Sequence, residues 1–299
     1  MRFVASGLLA LAAGSGALTR DNGTGRVRYQ TNVNVDFVVV AHEDDWQLFM
    51  GDAIARRAAE GDSLTFVYLT AGDDGREPAY WQTRERAALT ATRVAVGAQA
   101  GEPAARCSIT VVSGHSITRC TAGRATSYFF RLPDGQRNGA GFARYGNQSL
   151  RKLRAHTIAS ITAVDGSATY RGWDDLLRTV TVLLHSSDRA GSVRVHTTDP
   201  SIRANPHDHF DHRMSGLLVA AVRKDRSWSI WYYVGYALGT RAPNRSGEQA
   251  RQKTALFRAY DAEMIRANAK WSAYAEHPSF YSECMVRTYV RQVAGAGNR

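Results

Sequence analysis

The chain has 299 residues, of which 44% are hydrophobic and 22% are charged, which is ordinary for a globular protein. Its 38 Lys and Arg residues against 27 Asp and Glu give a formal net charge of +11, but the basic residues are scattered along the chain. Nucleic acid is therefore not an expected partner, because nucleic-acid-binding tails carry their basic residues in blocks. After the N-terminal segment no run of about 20 apolar residues occurs, which excludes a protein with several membrane spans.

The N-terminal pattern is typical of exported proteins. Met1 and Arg2 precede an apolar segment rich in Leu, Ala and Gly from Phe3 to Leu18, and polar residues follow. A positive start, a short apolar core and small residues near its end predict a signal peptide at residues 1–20 and a secreted protein. The alternative interpretation is an Ala-rich terminal segment of a cytoplasmic protein.

A βαβ unit is predicted at the start of the folded region. The residues from Val35 to Ala41 are mostly β-branched and apolar without alternation, which predicts a strand buried on both faces. A helix is predicted over residues 47–60, where Gly61 ends it, and a second strand over 63–70. Such a unit places its two strands parallel.

The next part of the chain contains two of the three cysteines. A helix is predicted over residues 83–96, and strands over 108–112 and 126–132. Cys107 and Cys120 flank the first of these strands and the turn after it, which predicts a disulfide within a hairpin or loop. Cys284 is then left unpaired.

The remaining elements continue the alternation of strands and helices. A Gly-rich loop is predicted over residues 136–147, helices over 173–178, 211–222 and 247–271, and strands over 193–198 and 230–234. This alternation predicts one α/β domain over residues 34–299, with a mostly parallel sheet between helical layers.

Polar side chains follow several of these strands directly. His42-Glu43-Asp44-Asp45 comes after the first strand, Gly72–Gly75 after the second, Asp134 after a third, and the segment around His209 after a later strand. Ligand sites of parallel sheets lie at the carboxyl ends of the strands. We therefore expect these segments to meet at one edge of the sheet.

The spacing at the first segment suits a metal ion. Zn²⁺ accepts imidazole nitrogen and carboxylate oxygen, and catalytic sites keep three protein ligands and one open position. His42 and Asp45 are close enough in a turn to share one ion, which leaves Asp44 free as a general base. The third ligand is expected among His207, His209 and His212. The alternative for the first segment is helix capping by its acidic residues.

Two motifs resemble signatures of one family. Ala41-His42-Glu43-Asp44-Asp45 is similar to the Ala-His-Pro-Asp-Asp-Glu signature of the PIG-L/LmbE-like zinc-dependent N-acetylglucosamine deacetylases. His209-Phe210-Asp211-His212 is similar to that family's His-Pro-Asp-His motif. The resemblance covers about residues 34–265 and implies a Rossmann-like three-layer α/β sandwich without a dinucleotide.

The resemblance also implies roles for individual residues. It assigns one Zn²⁺ or another divalent metal to His42, Asp45 and His212, and the deprotonation of the attacking metal-bound water to Asp44. His209 would stabilise the oxyanion or protonate the leaving amine, with Asp211 orienting and charging it. Substrate contacts fall to Asp134 and Arg84.

The sequence departs from the signature at two positions in the first motif. Glu43 stands where the family has Pro, and Trp46 where it has Glu. Trp46 and Trp81 are the aromatic residues that we expect to stack on a sugar ring.

These observations lead to one main hypothesis and two alternatives. The main hypothesis is a hydrolase that removes the acetyl group from an N-acetylglucosamine-type sugar in a glycan, glycolipid or glycoconjugate. The first alternative is an amidase that acts on another N-acyl or thiol-conjugate substrate. The second is a noncatalytic carbohydrate-binding relative, which the presence of Asp44 disfavours because binding alone does not need a general base.

Overall fold

The structure is a computed structural model that describes residues 34–98, 104–186, 192–222 and 228–294. The predicted signal peptide at residues 1–20 lies outside the described residues. Within the described ranges no helix is both long and apolar enough to cross a membrane.

An eight-stranded sheet forms the centre of the protein. The strands of the described chain are β1 (Val35–Val40), β2 (Ser63–Thr70), β3 (Arg106–Val112), β4 (His115–Ala122), β5 (Ala125–Leu132), β6 (Ser160–Thr162), β7 (Thr169–Arg171), β8 (Val193–Thr198), β9 (Ser229–Tyr233) and β10 (Val290–Val293). Their order in the large sheet is β10-β9-β8-β1-β2-β5-β4-β3, and β6 and β7 form a separate pair. The five central strands are parallel, and β10, β4 and β3 are antiparallel to their neighbours.

Helices cover both faces of this sheet. They are α1 (Asp45–Ala59), α2 (Pro78–Ala95), α3 (Leu150–Arg154), α4 (Trp173–His185), α5 (Phe210–Val222), α6 (Gly247–Ala267), α7 (Ala273–Glu276) and α8 (Pro278–Met285). Val38 and Val40 of β1 pack in the core beneath α1 and α6, whereas Phe37 and Val39 pack in the core beneath α4 and α5. The predicted three-layer α/β sandwich and the strand buried on both faces are therefore confirmed.

Several boundaries differ from the predicted ones. Helix α2 begins at Pro78, five residues before the predicted start, because proline is well tolerated in the first turn of a helix. Helix α4 extends to His185, and α6 ends at Ala267 with a short 3₁₀ turn after it. The predictions missed β4, β6, β7, β10, α3, α7 and α8, most of which have five residues or fewer and therefore carry little periodicity.

The β3–β4 hairpin contains the predicted disulfide. Cys107 lies directly opposite Cys120 in the antiparallel pair, and their sulfur atoms are bonded. Cys284 is free and buried, as expected.

The order of the strands decides where the polar segments meet. β1 lies between β2 and β8, so the chain leaves β1 towards one side of the sheet and later returns to its other side. Such a switch point leaves a crevice at the carboxyl ends of the two strands. The segment after β1 and the segment after β8 therefore lie next to each other.

Candidate metal centre

Asp45 folds the segment after β1 into a tight turn. Its Oδ2 accepts hydrogen bonds from the backbone N–H groups of Ala41 and His42, at 3.1 and 2.8 Å. The hydroxyl of Thr70, at the end of β2, donates to the carbonyl oxygen of Ala41 at 2.9 Å. These bonds fix the turn and direct the side chains of His42 and Asp45 to the carboxyl edge of the sheet.

Helix α5 brings the second motif to the same edge. The hydroxyl of Thr198, the last residue of β8, donates to the carbonyl oxygen of His212 at 2.6 Å. Gly216 allows this approach, because a Cβ atom there would lie 2.3 Å from the carbonyl oxygen of Thr198. The first turn of α5 is thus held against the end of β8.

His42, Asp45 and His212 form a compact group of possible metal ligands. One donor atom from each lies within 4.8 Å of the others, and all three side chains are buried. His42 Nδ1 is 3.1 Å from His212 Nε2, and His212 Nε2 is 3.0 Å from Asp45 Oδ1. Two facing ring nitrogens must share one proton or bind one cation, so this donor set fits a Zn²⁺-like ion with an open position.

Asp208 fixes the orientation of His212. Its Oδ1 is 2.9 Å from His212 Nδ1 and also accepts the backbone N–H of Tyr236 at 3.1 Å, and its Oδ2 accepts from the side chain of Asn205 at 2.6 Å. Burial by itself would lower the pKa of His212, but the carboxylates of Asp45 and Asp208 raise it to about 10. Because Nδ1 is used by Asp208, Nε2 is the nitrogen left for a metal.

Sequence reasoning missed Asp208. The signal that could have identified it is its place four residues before His212, since a residue at that distance reaches the same side chain at the start of a helix.

A second group of possible ligands shares His42. It contains Asp134, His209 and Asp211, with donor atoms again within 4.8 Å of one another. His42 Nε2 is 3.5 Å from Asp134 and 3.7 Å from Asp211, and it has no hydrogen-bond partner. Burial raises the pKa of Asp134 to about 6. These carboxylates lie where they can accept the second ring N–H of His42, the usual arrangement around a metal-ligating histidine.

His209 faces the same space in a defined tautomer. Its Nδ1 accepts the backbone N–H of Asp211 at 3.1 Å, so a neutral ring carries its proton on Nε2. Burial and the neighbouring His42 and His212 hold the pKa of His209 well below its usual range. A neutral His209 can therefore donate a hydrogen bond through Nε2.

The two remaining predicted residues, Asp44 and Arg84, also lie at this edge. Asp44 precedes α1 and is bound through Oδ1 by the guanidinium of Arg84, which comes from α2. Asp134 follows β5, and its backbone N–H donates to Asp73 at 2.8 Å.

All eight predicted site residues are thus brought together, whereas His207 is not. The eight are His42, Asp44, Asp45, Arg84, Asp134, His209, Asp211 and His212. The side chain of His207 is exposed, and its carbonyl oxygen accepts two bonds from Arg137.

A cavity of about 650 Å³ opens over these residues. Its lining includes aromatic side chains from several parts of the chain, namely Tyr80, Phe142, Tyr236, Phe280 and Tyr281. The expectation that Trp46 and Trp81 stack on a sugar is wrong for this cavity. Trp46 is fully buried and donates to the hydroxyl of Tyr68, and Trp81 lines a different pocket.

Comparison with known proteins gave one family match. The family model described as "PIG-L: GlcNAc-PI de-N-acetylase" matches residues 37–222, which include both histidine motifs. No curated protein matches the chain.

Several solved structures resemble the fold at low identity. The N,N'-diacetylchitobiose deacetylase from Pyrococcus horikoshii is 14% identical, with a TM-score of 0.48 over 89% of this chain and 86% of that one. The zinc-inhibited form of teicoplanin deacetylase Orf2 is 12% identical, with a TM-score of 0.44 over 89% of this chain and 100% of that one. GalB, the 4-carboxy-2-hydroxymuconate hydratase of Pseudomonas putida KT2440, is 14% identical, with a TM-score of 0.42 over 84% of this chain and 83% of that one.

Proposed function

The chain belongs to the PIG-L family, and on that premise we propose that it is a metal-dependent hydrolase that removes the acetyl group from an N-acetylated amino sugar. The observation that carries this proposal is the arrangement of His42, Asp45 and His212 around one point, with Asp44 beside them. Binding alone would not need a carboxylate at this place, whereas hydrolysis needs a group that accepts a proton.

Each residue has a proposed part in the reaction. His42 Nδ1, His212 Nε2 and Asp45 Oδ1 would hold a divalent cation, for which Zn²⁺ is the best match to two imidazoles and one carboxylate. When bound, such a cation polarises a carbonyl group and makes water a stronger acid. Asp44 accepts the proton of the attacking water through Oδ2, since Arg84 already binds Oδ1.

His209 completes the proposed site. Its Nε2–H donates to the carbonyl oxygen of the acetamide as negative charge develops there, because its Nδ1 is already bound to a backbone N–H. Asp211 orients this group through that same N–H, and its Oδ2 is held by the backbone N–H of Gly135 at 2.7 Å. Asp134 lies 3.6 Å from His209 Nε2, within reach of a substrate hydroxyl in the cavity.

The substrate is proposed to be a sugar of a glycan, glycolipid or glycoconjugate. A cavity of about 650 Å³ has room for one hexosamine ring and part of a second group. The aromatic side chains that line it suit the apolar face of a sugar ring.

The test is the release of a free amine from a panel of N-acetylated sugars, with purified protein loaded with Zn²⁺. We expect turnover by the unmodified protein and a loss of about 10²- to 10⁴-fold in kcat for Asp44→Asn, with metal content unchanged. Asp45→Asn is expected to lose the metal itself. Retention of full activity by Asp44→Asn contradicts the assignment of the base, and the absence of near-stoichiometric metal contradicts the proposal as a whole.

A further inference from the structure

Arg84 is a buried arginine that ends against the turn after β1. It is 8% exposed, and its guanidinium is engaged on three sides. One Nη atom donates to Asp44, the other donates to the carbonyl oxygen of Gly72 at 3.0 Å, and Nε lies 3.2 Å from Glu43. An arginine bound in this way presents Asp44 in one fixed orientation.

Glu43 is the second member of this arrangement. Its side chain is fully buried, and neither carboxylate oxygen has a hydrogen-bond partner. The cation beside it is the guanidinium of Arg84. A buried carboxylate is costly unless it is paired. Burial raises the pKa of Glu43 to about 8, and the positive charge of Arg84 offsets only part of that rise.

Gly72 provides the space in which the two side chains meet. It adopts a positive φ of 51°, and a Cβ atom there would lie 2.7 Å from Glu43 Oε2 and 2.8 Å from Arg84 Cζ. A larger residue would therefore displace the ion pair. The backbone at the end of β2 is shaped around the contact between Glu43 and Arg84.

The sequence of the turn differs from the family signature at this point. Position 43 carries Glu where the signature has Pro, and position 46 carries Trp where the signature has Glu. Trp46 is buried in the core and bonds Tyr68 at 3.0 Å, so position 46 supplies no carboxylate to the site. The carboxylate next to Arg84 comes from Glu43 instead.

We propose that Glu43 and Arg84 are a pair of positioning residues that hold the catalytic base Asp44 in place, which rests on the proposed function. Arg84 fixes Oδ1 of Asp44, and Glu43 holds the guanidinium in that position through the contact between its Oε2 and Arg84 Nε. The pair acts through Asp44 and not through contact with the sugar.

The competing role for Arg84 is a substrate contact, because part of its side chain also lines the cavity. The two roles differ in kinetics. A lost substrate contact raises KM, whereas a displaced base lowers kcat, since misplacement of a catalytic group by about 1 Å can cost ~10²-fold in rate.

The experiment compares Glu43→Gln, Arg84→Lys and the double variant with the unmodified protein, each with its metal content measured. We expect each single change to lower kcat by about 10- to 100-fold with KM changed less than about 3-fold. Because both residues act through one bond to Asp44, Glu43→Gln should add less than about 3-fold in the Arg84→Lys background. A rise in KM at constant kcat, or two fully additive effects, overturns the proposal.

The matched control is Glu85→Gln, because Glu85 lies on α2, the same helix as Arg84. Glu85 is also a buried carboxylate paired with an arginine, Arg131, at 2.6 Å, but neither residue lines the cavity. Glu85→Gln should keep kcat within about 2-fold of the unmodified protein. If its kcat falls as much as that of Glu43→Gln, the loss is due to general destabilisation and the proposal is overturned. If Arg84→Lys does not fold, the kcat and KM of Glu43→Gln alone test whether the pair positions Asp44.

Crystal structures test the positioning role of Glu43 and Arg84 independently of the proposed deacetylase activity. If the unmodified protein hydrolyses no N-acetylated sugar, the proposed function fails, and structures of Glu43→Gln and the unmodified protein still report the position of Asp44. A displaced Asp44 carboxylate in the variant supports the positioning role. An unchanged Asp44 carboxylate overturns it.

Discussion

Asp45 illustrates how single side chains at this site serve structure and chemistry together. Oδ2 closes the turn after β1 through two backbone N–H groups, and Oδ1 faces His42 and His212. A ligand held by its second oxygen loses little conformational entropy when a metal binds, because it is already ordered. His212 is also ordered before a metal binds, because Asp208 holds its Nδ1.

Replacement of Asp208 should weaken the metal site without removing a ligand. Asp208→Asn keeps the size of the side chain but removes the charge that orients His212 Nδ1–H. We expect the Kd for Zn²⁺ to rise about 10- to 100-fold, measured by competition with a chromophoric chelator.

The control for this change is Asp62→Asn. Asp62 is a buried carboxylate paired with Arg194, and it precedes β2, at the opposite end of the sheet from the site. Its variant should bind Zn²⁺ as the unmodified protein does. Equal metal affinity in Asp208→Asn would show that His212 needs no help from Asp208.

At the scale of elements, the β3–β4 hairpin depends on its own cross-link. β3 is the edge strand of the sheet, and most of its side chains are exposed, including Ile109 and Val111. β3 thus buries little apolar surface, whereas β4 buries Ile117 and Cys120. The disulfide between Cys107 and Cys120 constrains the hairpin covalently.

Removal of this disulfide should destabilise the protein measurably. The bonded cysteines are 13 residues apart, and a loop of that size is expected to stabilise the fold by about 2–3 kcal/mol. Chemical unfolding of Cys107→Ser/Cys120→Ser should show this loss. Cys284→Ser serves as the comparison without a disulfide. An unchanged unfolding free energy in the double variant would contradict the prediction.

Helix α8 contributes a wall of the cavity from beyond the residues that match the family model. Phe280 packs at a right angle against Tyr236, with 5.3 Å between ring centroids. Because Phe280 lines the cavity and is not one of the candidate metal ligands, we expect it to contact the part of a substrate that does not react.

Replacement of Phe280 should therefore change binding more than turnover. We expect Phe280→Ala to raise KM for a disaccharide substrate about 10-fold and to leave kcat within about 3-fold. Tyr274→Ala is the control, because Tyr274 belongs to the same C-terminal segment but does not line this cavity. A fall in kcat at constant KM would contradict a role in binding.

At the scale of the whole molecule, the candidate metal centre joins distant parts of the chain. His42 and His212 are 170 residues apart, and they belong to the segments after β1 and β8. A bound metal would cross-link the two sides of the switch point. Metal binding should therefore stabilise the entire fold, since the unfolded chain does not present this site.

Removal of the metal should lower the melting temperature. With free Zn²⁺ at about 100 times its Kd, binding adds about 2.7 kcal/mol, or roughly 4–5 °C for a protein of this size. Scanning calorimetry with and without a chelator measures the difference. His212→Ala should melt at the same temperature in both conditions, and a shift of similar size in that variant would place the metal elsewhere.

The sequence by itself determined the kind of fold and the position of the chemistry along the chain. Runs rich in β-branched residues, such as residues 35–40, encode burial on both faces, and helices between them favour parallel strands. One histidine motif stands at the end of a strand and the other at the start of a helix. Both positions can be recognised from the sequence without knowing the order of the strands in the sheet. Eight candidate residues could therefore be predicted, and the structure brings them together.

Only the tertiary structure decided which of these residues contact one another. The placement of β1 between β2 and β8 brings His42 to His212, and the packing of α2 brings Arg84 to Asp44. No periodicity encodes strand order, because it depends on contacts between residues far apart in the chain. For the same reason the local pattern gave no sign that Trp46 would face the core and not the cavity.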